Sequence, residues 1–279
     1  MAVTTTKATE VGMHTEQLAG RTQQRFFLPE EEARYTYPFS FEVDFERHAQ
    51  IDATDLDSHA VNLRIRELMG TGHGSITLNN PGAKHALAVG ILNRLNLQIR
   101  GSLGYFGCGL IDGPNIHVTG RVGWSCAENM MAGTVIIDKN AGSTFGAAMR
   151  GGDLVCKGDV GARVGIDMKG GTIIVGGRAG AFCGFMMQRG RMVILGDAGK
   201  NLGDSMYDGT IYVGGRIAGL GVDAVVEEMT DLDVHWLERK LQLYGLEAPK
   251  GTSNMQKIVA GRQLWNYDNL EPAEKKLIL

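Results

Sequence analysis

The side chains best suited to chemistry are four cysteines, and their spacing indicates packing rather than catalysis. Cys108, Cys126, Cys156 and Cys183 include no CxxC pair, and their separations match neither a zinc site nor an iron-sulfur cluster. A free cysteine in a protein interior behaves as a small apolar side chain. We therefore expect four reduced thiols that contribute to a core.

Methionines and one histidine are the next candidates. Five methionines recur every nineteen residues along the chain. A column of methionines could bind a soft metal, but one inward-facing methionine per turn is also what packing of a core requires. They are Met130, Met149, Met168, Met187 and Met206. His117 lies between the inward-facing residues Ile116 and Val118, so its side chain is expected to face solvent. We interpret the methionines as core and His117 as a surface residue.

Enzymes built on β-helices have patterns that this chain lacks. A left-handed β-helix acyltransferase needs an exposed catalytic histidine and a hexapeptide rhythm, and the repeat of nineteen residues here is not a multiple of six. A pectin-lyase-like enzyme needs charged residues stacked on one wall. Asp159, Asp197, Arg163 and Arg178 fall on outer turns without forming a compact set. A free-standing β-helix lyase or transferase stays open as an alternative.

The forty glycines suggest nucleotide binding, but their spacing does not support it. Neither G-x-G-x-x-G nor G-x-x-x-x-G-K-[ST] occurs in the chain. A net charge of -3 shows no basic excess, so nucleic acid is not an expected partner. The sequence therefore predicts no catalytic, cofactor-binding or metal-binding residue on this chain.

A repeat of nineteen residues positions these side chains. Its glycines are Gly104, Gly123, Gly142, Gly161, Gly180 and Gly199. Apolar residues keep the same period in two columns, which are Leu97, Ile116, Val135, Leu154, Ile173, Met192, Ile211 and Ile99, Val118, Ile137, Cys156, Val175, Ile194, Val213. Such a strict period is typical of a solenoid whose coils stack on one another. We predict an all-β fold, a parallel β-helix of about seven 19-residue coils with an N-terminal extension and a C-terminal capping helix.

The six periodic glycines are predicted to be structural corners. In the coil that starts at Thr172, Ile173 and Val175 point inward because strand side chains alternate. Gly180 and Gly184 follow, at positions where a Cβ would either require a positive φ or collide with a neighbouring coil. A larger residue at such a corner is expected to destabilise the stack.

The chain is predicted to have four segments. We assign residues 1–45 to an N-terminal arm, 46–95 to an α/β segment leading into the solenoid, 96–223 to the β-helix, and 224–279 to a C-terminal helical cap and tail. Both ends of a β-solenoid expose unpaired strand edges, so the flanking segments are expected to cover them.

The segment before the repeat contains a helix signal and a strand signal. Val61, Ile65 and Leu68 lie on one face of a short helix that Gly70 would end. Residues 85–89 then have the pattern of a strand that leads into the first coil.

The segment after the repeat contains a second helix signal. Thr230 and Asp233 form a capping-box pattern at the start of a helix that ends at Gly245. This helix is expected to close the open end of the solenoid.

Two coils depart from the repeat and form a candidate contact patch. Ala127 stands where a second glycine is expected. Tyr105, Trp124, Glu128 and Asn129 make this part of the chain more aromatic and polar than the equivalent positions of later coils. Aromatic side chains are enriched at protein interfaces. The alternative, that the first coils of the stack are merely irregular, stays open.

The chain shows no export or membrane signal. Its first twenty residues lack the apolar region of a signal peptide, and no run of about eighteen apolar residues occurs. We expect a soluble, cytoplasmic protein.

The glycine pattern resembles that of a known family. Gly-x2-Gly-x3-Gly recurs intact as Gly158, Gly161, Gly165, as Gly177, Gly180, Gly184, and as Gly196, Gly199, Gly203. With the strand and methionine registers it resembles the GXGXG domain, the right-handed β-helix that closes the large chain of glutamate synthase. Residues 127–133, 165–170 and 202–207 are similar to the separate β-helix subunit of N-methylglutamate synthase and of split glutamate synthases. The resemblance covers residues 96–223 and implies right-handed coils.

The resemblance implies a non-catalytic scaffold subunit. In such systems a class II glutamine amidotransferase subunit and an FMN-binding glutamate synthase-like subunit are separate chains. FMN, and an iron-sulfur cluster where there is one, is therefore expected on a partner. The glutaminase family needs an N-terminal cysteine nucleophile, and the first cysteine here is Cys108. The implied assembly is a higher-order hetero-oligomer that forms glutamate or N-methylglutamate.

A second resemblance leaves another function open. The β-helix subunit of formylmethanofuran dehydrogenase, or of the formyltransferase/hydrolase complex, resembles the same coil pattern. It would replace ammonia transfer with one-carbon chemistry.

Overall fold

The structure of the chain is a computed structural model that describes residues 15–18, 21–24 and 41–264. Strands β1 (Thr15–Leu18) and β2 (Arg21–Gln24) pair as an antiparallel hairpin in one unit of the chain. The solenoid forms a second unit, which begins at Phe41. Most of the predicted arm, and the end of the predicted tail, lie outside the described residues.

An eleven-stranded sheet runs the length of the solenoid unit. Its strands are β3 (Asp44–Asp52), β4 (His73–Asn79), β5 (Asn96–Arg100), β6 (Asp112–Val118), β7 (Ala132–Ile137), β8 (Asp153–Cys156), β9 (Thr172–Val175), β10 (Arg191–Ile194), β11 (Thr210–Val213), β12 (Ala224–Glu227) and β13 (Gln256–Ala260). Strands β3 to β11 pair in parallel with their neighbours in chain order. The predicted all-β parallel β-solenoid of about seven turns is therefore confirmed.

The inner columns pack into one continuous core. From β5 onward the pairing advances by nineteen residues per coil, as Leu97 pairs with Ile116 and Ile116 with Val135. The five periodic methionines and all four cysteines are fully buried. Burial raises the pKa of Cys156 to about 11 and that of Cys183 to about 12, so both remain protonated at neutral pH. The methionines and thiols pack within the core, as their periodicity predicts.

The parallel sheet begins well before residue 96. Strand β4 pairs with β5, and β3 pairs with β4, so residues of the predicted 46–95 segment belong to the solenoid sheet. Helix α1 (Ser58–Gly70) connects β3 to β4. It buries Val61, Ile65 and Leu68 as predicted, and the Asp57 side chain caps it by accepting from the Ala60 N–H at 2.7 Å.

The strand predicted at residues 85–89 is wrong. Ala86 and Ala88 have φ values of 50° and 56°, and alternation of left-handed residues is incompatible with an extended strand. This stretch is a corner of the first coil instead, where the Ala86 N–H donates to the Tyr105 carbonyl at 2.8 Å. The coil between β4 and β5 is longer than those that follow it, since Ile76 pairs with Leu97, twenty-one residues later. The nineteen-residue period therefore does not include the coil between β4 and β5.

The periodic glycines lie where successive coils approach most closely. A Cβ added at Gly161 would stand 2.6 Å from the Ser143 amide nitrogen and 2.8 Å from the Gly142 carbonyl carbon. The equivalent atom at each of the other five corners also meets the preceding coil at less than 3.0 Å. Gly184, the second glycine of its coil, is required for a different reason. Its φ is 71°, and a Cβ added there would collide with the Ile211 side chain in the core.

The charged residues on the outer turns support the stacking. Asp159 accepts a hydrogen bond at 2.7 Å from the backbone N–H of Arg178, which lies one coil later, and Asp197 does the same for Arg216. The Arg178 side chain also pairs with the Asp159 carboxylate at 3.2 Å. Arg163 lies over the ring of Phe182. These contacts link neighbouring coils and do not assemble a charged cluster.

Helix α2 (Asp231–Leu243) begins with the predicted capping box between Thr230 and Asp233. Its position differs from the prediction. Leu237 and Leu241 pack on the outer face of the sheet, against a set of outward-facing side chains: Val155, Ile174, Val193 and Tyr212. The end of the stack is instead extended by β13 and β12, which continue the sheet beyond β11 in antiparallel pairing. A strand edge needs main-chain partners, which a strand supplies and a helix does not.

Polar contacts hold α2 on the sheet. Asp233 accepts from the Tyr212 hydroxyl at 2.6 Å and pairs with Lys257 of β13 at 3.0 Å. Burial raises the pKa of Asp233, but the hydrogen bonds from Tyr212 and Thr230 outweigh it and hold the pKa well below its usual value of about 3.8. At the other end of the helix, Lys240 pairs with Asp153 at 2.7 Å.

Replacing a corner glycine is expected to destabilise the stack. Gly161→Ala places a Cβ against the backbone of the preceding coil, and should lower the free energy of unfolding by about 1–3 kcal/mol. Gly219→Ala is the matched control, because a Cβ at Gly219 has no atom within 4 Å. Denaturant unfolding of both variants measures the difference. Equal stabilities would contradict the assignment of Gly161 as a corner.

Acid is expected to weaken the docking of α2 through Asp233. Its lowered pKa means that the carboxylate stabilises the fold fully above the usual aspartate value, about 3.8, and that this contribution is lost as the pH falls below it. Asp233→Asn should cost about 2 kcal/mol at neutral pH and show a shallower loss of stability in acid. Asp231→Asn, in the same turn, should follow the wild type. Parallel pH profiles for Asp233→Asn and the wild type would refute this role.

Candidate partner-binding surface

An exposed aromatic cluster lies on the corners that follow β4, β5 and β6. We call it the aromatic surface, and it consists of His85, Tyr105, Phe106, Leu110 and Trp124. The Tyr105 ring stacks on His85 with centroids 4.6 Å apart and planes within 5°, and it meets Trp124 at 5.6 Å. Trp124 is 58% exposed and Tyr105 is 44% exposed, although both are large apolar rings. The rings are therefore held in order by one another while remaining accessible.

Main-chain stacking orders these rings. Tyr105 and Trp124 are nineteen residues apart, and the Phe106 N–H donates to the Trp124 carbonyl at 2.8 Å. The Tyr105 N–H donates to Nδ1 of His85 at 2.9 Å. Because Nδ1 accepts this bond, the ring proton of neutral His85 lies on Nε2. The imidazole is thereby fixed parallel to the phenol, and the Trp124 ring extends the row at a tilt of 31° to Tyr105.

The structure brings together part of the predicted patch. Tyr105 and Trp124 are in contact, as above. Glu128 and Asn129 lie on the same coil as Trp124 and are half-buried. The Glu128 carbonyl accepts from the Leu110 N–H at 2.9 Å, which places this coil beside the apolar end of the surface. Glu128 thus borders the aromatic surface through its backbone, whereas the Asn129 N–H donates to the Ala147 carbonyl of the next coil.

The apparent irregularity at Ala127 does not alter the coil. Ala127 has a φ of 57°, and Gly165 and Gly184, at the equivalent position of later coils, also have positive φ. The Ala127 side chain is fully buried. The departure from glycine therefore preserves the backbone path, and the difference between these coils and later ones lies in the outward side chains.

Sequence reasoning missed His85 and gave no separate weight to Phe106 and Leu110. His85 precedes Tyr105 by twenty residues, one more than the period, so a strict frame does not align the two rings. Phe106 and Leu110 are each about half exposed, at 49% and 54%. Aligning the coil before Tyr105 with a shift of one residue would have placed His85 beside Tyr105 from the sequence.

The described part of the chain shows neither a metal-binding cluster nor a membrane-spanning helix. Residues 41–264 contain no group of three histidine, cysteine or acidic side chains placed to hold a metal ion. No described helix is long and apolar enough to cross a membrane. His117 is only partly exposed and bonds to Asp138 through Nε2 at 2.8 Å, so it is not the unpaired surface histidine that its sequence position indicates.

Comparison with known families agrees with the architecture. The profile of the GXGXG motif family matches residues 74–233, which is more than half of the chain. The chain belongs to the GXGXG family. This confirms the resemblance found in the glycine pattern and places the start of the family domain in β4, where the structure also shows the parallel sheet.

One known protein is similar in sequence to a segment of this GXGXG protein. Protein GlxC of Rhizobium meliloti (strain 1021) is 41% identical over 68 residues, which is 24% of this chain and 30% of that protein. The similarity therefore spans less than a third of the relative's length.

The aromatic surface is expected to contribute little to folding. Trp124→Ser introduces the residue found one coil later at Ser143, and should cost no more than about 1 kcal/mol, the value of an exposed aromatic contact. Phe145→Ala removes a fully buried ring and should cost about 3–5 kcal/mol. Thermal or denaturant unfolding compares them. A loss at Trp124 as large as that at Phe145 would show that Trp124 belongs to the core.

Proposed function

We propose that this GXGXG protein is a non-catalytic structural subunit of a glutamate synthase-type complex. Family membership and the partial similarity to GlxC support this assignment. The observation that favours a structural role is the aromatic surface, an ordered, exposed set of rings with no use inside the chain's own core. Large rigid aromatic side chains are characteristic of the residues that dominate binding at protein interfaces.

The solenoid is suited to hold partners apart at a fixed distance. Parallel strands are about 4.8 Å apart, so β4 to β11 span about 34 Å. Each coil is tied to the next by strand pairing and by side-chain to backbone bonds such as that between Asp159 and Arg178. A stack without long internal loops changes length little, which is the property that a spacer needs.

The proposed partners are a class II glutamine amidotransferase subunit and an FMN-binding glutamate synthase-like subunit. The amidotransferase would release ammonia, and the flavoprotein, with FMN and any iron-sulfur cluster, would use it to form glutamate or N-methylglutamate. This chain would set the separation of the two, so that ammonia passes between them without escaping. We place the assembly, a higher-order hetero-oligomer, in the cytoplasm.

Affinity capture of the tagged chain from its own cells tests this proposal. We expect mass spectrometry to find a glutaminase with an N-terminal cysteine nucleophile and a flavin-absorbing partner. Recovery of a formylmethanofuran-type or formyltransferase complex would contradict it, as would turnover of a sugar or acyl substrate by the isolated chain.

Variants of the aromatic surface test whether it makes the contact. Trp124→Ser combined with Tyr105→Ala should weaken capture by about tenfold or more, because buried aromatic anchors typically contribute about 2 kcal/mol or more to binding. Leu232→Ala is the control, since Leu232 is a highly exposed apolar residue on α2, outside this surface. Undiminished capture by the double variant would show that the partners bind elsewhere.

A further inference from the structure

The outer face of the sheet changes character along the stack. One outward column runs through β4 to β11 and consists of Thr77, Gln98, His117, Ile136, Val155, Ile174, Val193 and Tyr212. Its apolar half, from Val155 onward, is covered by α2. No residue of the described range 41–264 covers its other half, and a groove of about 450 Å³ remains there over β4 to β7. That volume lies within the usual range of small-molecule sites.

The groove is bounded at both ends. His48 of β3 lines it at one end, and Thr134 and Ile136 of β7 line it at the other. The hydroxyl of Tyr244, the residue that follows α2, donates to Asp153, which pairs with Thr134 on the neighbouring strand. The groove therefore ends where the cover provided by α2 begins.

His117 is oriented within this groove by an ion pair at its edge. Its Nε2 lies 2.8 Å from Asp138 Oδ2, and Asp138 Oδ1 lies 2.8 Å from Lys157 Nζ. Burial raises the pKa of Asp138, but the nearby Lys157 ammonium and the hydrogen bond with His117 outweigh it and lower the pKa below its usual value. The ionised carboxylate only accepts, so Nε2 of His117 holds the proton. Nδ1 has no partner among the described residues and can accept a bond from a ligand.

The remaining lining offers neutral donors and acceptors. The Gln98 amide and the Thr77 hydroxyl make no hydrogen bond within residues 41–264. Asn115 Nδ2 donates to Asn96 Oδ1 at 3.2 Å, which leaves the Asn96 NH2 and the Asn115 Oδ1 without a partner in this pair. The Ser75 hydroxyl donates to the Phe45 carbonyl and is not available.

The charges around the groove are already compensated. Lys157 pairs with Asp138, and Lys240 pairs with Asp153, so neither cation is free for an anionic ligand. An apolar ligand would exclude water from the Gln98 amide and the Thr77 hydroxyl without replacing its hydrogen bonds, which costs binding free energy. A hydroxyl group both donates and accepts, and it meets a neutral lining of this mixed kind without needing a counter-charge.

We propose that this groove binds a neutral, polyhydroxylated small molecule, a mono- or disaccharide in size. Gln98, Thr77 and His117 Nδ1 hydrogen-bond to its hydroxyl groups, and Ile136 packs against its carbon skeleton. This site is separate from the aromatic surface and does not depend on the proposed subunit role.

Saturation-transfer NMR on the full chain tests the proposal. The probes are maltose, cellobiose, trehalose and sucrose, with glucose 6-phosphate as the charged counterpart, each at about ten millimolar, since affinities of such small neutral ligands are expected near about 1 mM. At least one neutral sugar should receive saturation and the charged probe should receive less. No transfer to any neutral sugar, or stronger transfer to the phosphate, would overturn the proposal.

Two substitutions locate the binding. Thr77→Val keeps the side-chain shape and removes the hydroxyl, and Gln98→Ala removes the amide; each should reduce affinity about fivefold or more, the loss of about one hydrogen bond. Gln242→Ala, on the exposed face of α2, is the control and should bind as the wild type does. Melting temperatures verify that the variants are folded. Binding that both groove variants retain in full would place the sugar elsewhere and refute the site.

Hydrogen exchange separates a small-molecule site from a partner contact. Sugar should slow amide exchange at β5 and β6 in the isolated chain. If these strands are protected only when a protein partner is bound, the groove is a subunit contact and the proposal fails.

Discussion

The close approach of successive coils at one corner is the constraint on which the rest of this structure depends. At Gly142, Gly161 and Gly180 a Cβ would lie within 2.8 Å of the backbone of the preceding coil. From Gly104 to Gly199 a glycine returns to this corner every nineteen residues, and the period of these coils follows from it. Strict periodicity then brings like side chains together in columns, and a core of small coils becomes as continuous as that of a conventional domain.

The covers of the solenoid follow from two separate needs. The last coil leaves main-chain groups unpaired, and β13 and β12 continue the sheet beyond it. The outer face of β8 to β11 is apolar, and α2 buries it through Leu237 and Leu241. At the opposite edge no described strand pairs beyond β3, which bears charged residues such as Asp44, Glu46 and Arg47 that oppose pairing with another chain. Helix α2 buries an apolar face, strands β12 and β13 pair a strand edge, and the charges of β3 oppose further pairing.

This organisation separates stability from recognition. Inward positions are constrained by the coils above and below, so reactive groups placed there, such as Cys156 and Cys183, are buried and protonated. Outward positions are free to vary from coil to coil. The same architecture consequently offers an aromatic surface at its corners and a polar groove on its sheet.

The sequence alone determined the features that repeat or are local. The strand columns, the buried methionines and both helices follow from periodicity and capping signals, because each depends on residues within one coil or one helical turn of each other. Tertiary structure alone decided where the non-periodic parts meet. His85 joins Tyr105 only because the preceding coil has a different length, α2 lies on the side of the sheet rather than its end, and His117 finds Asp138 across neighbouring strands. The physical reason is that a regular spacing along the chain determines which residues share a column. Contacts between outward side chains depend instead on the lengths of the individual coils and on where helix α2 packs.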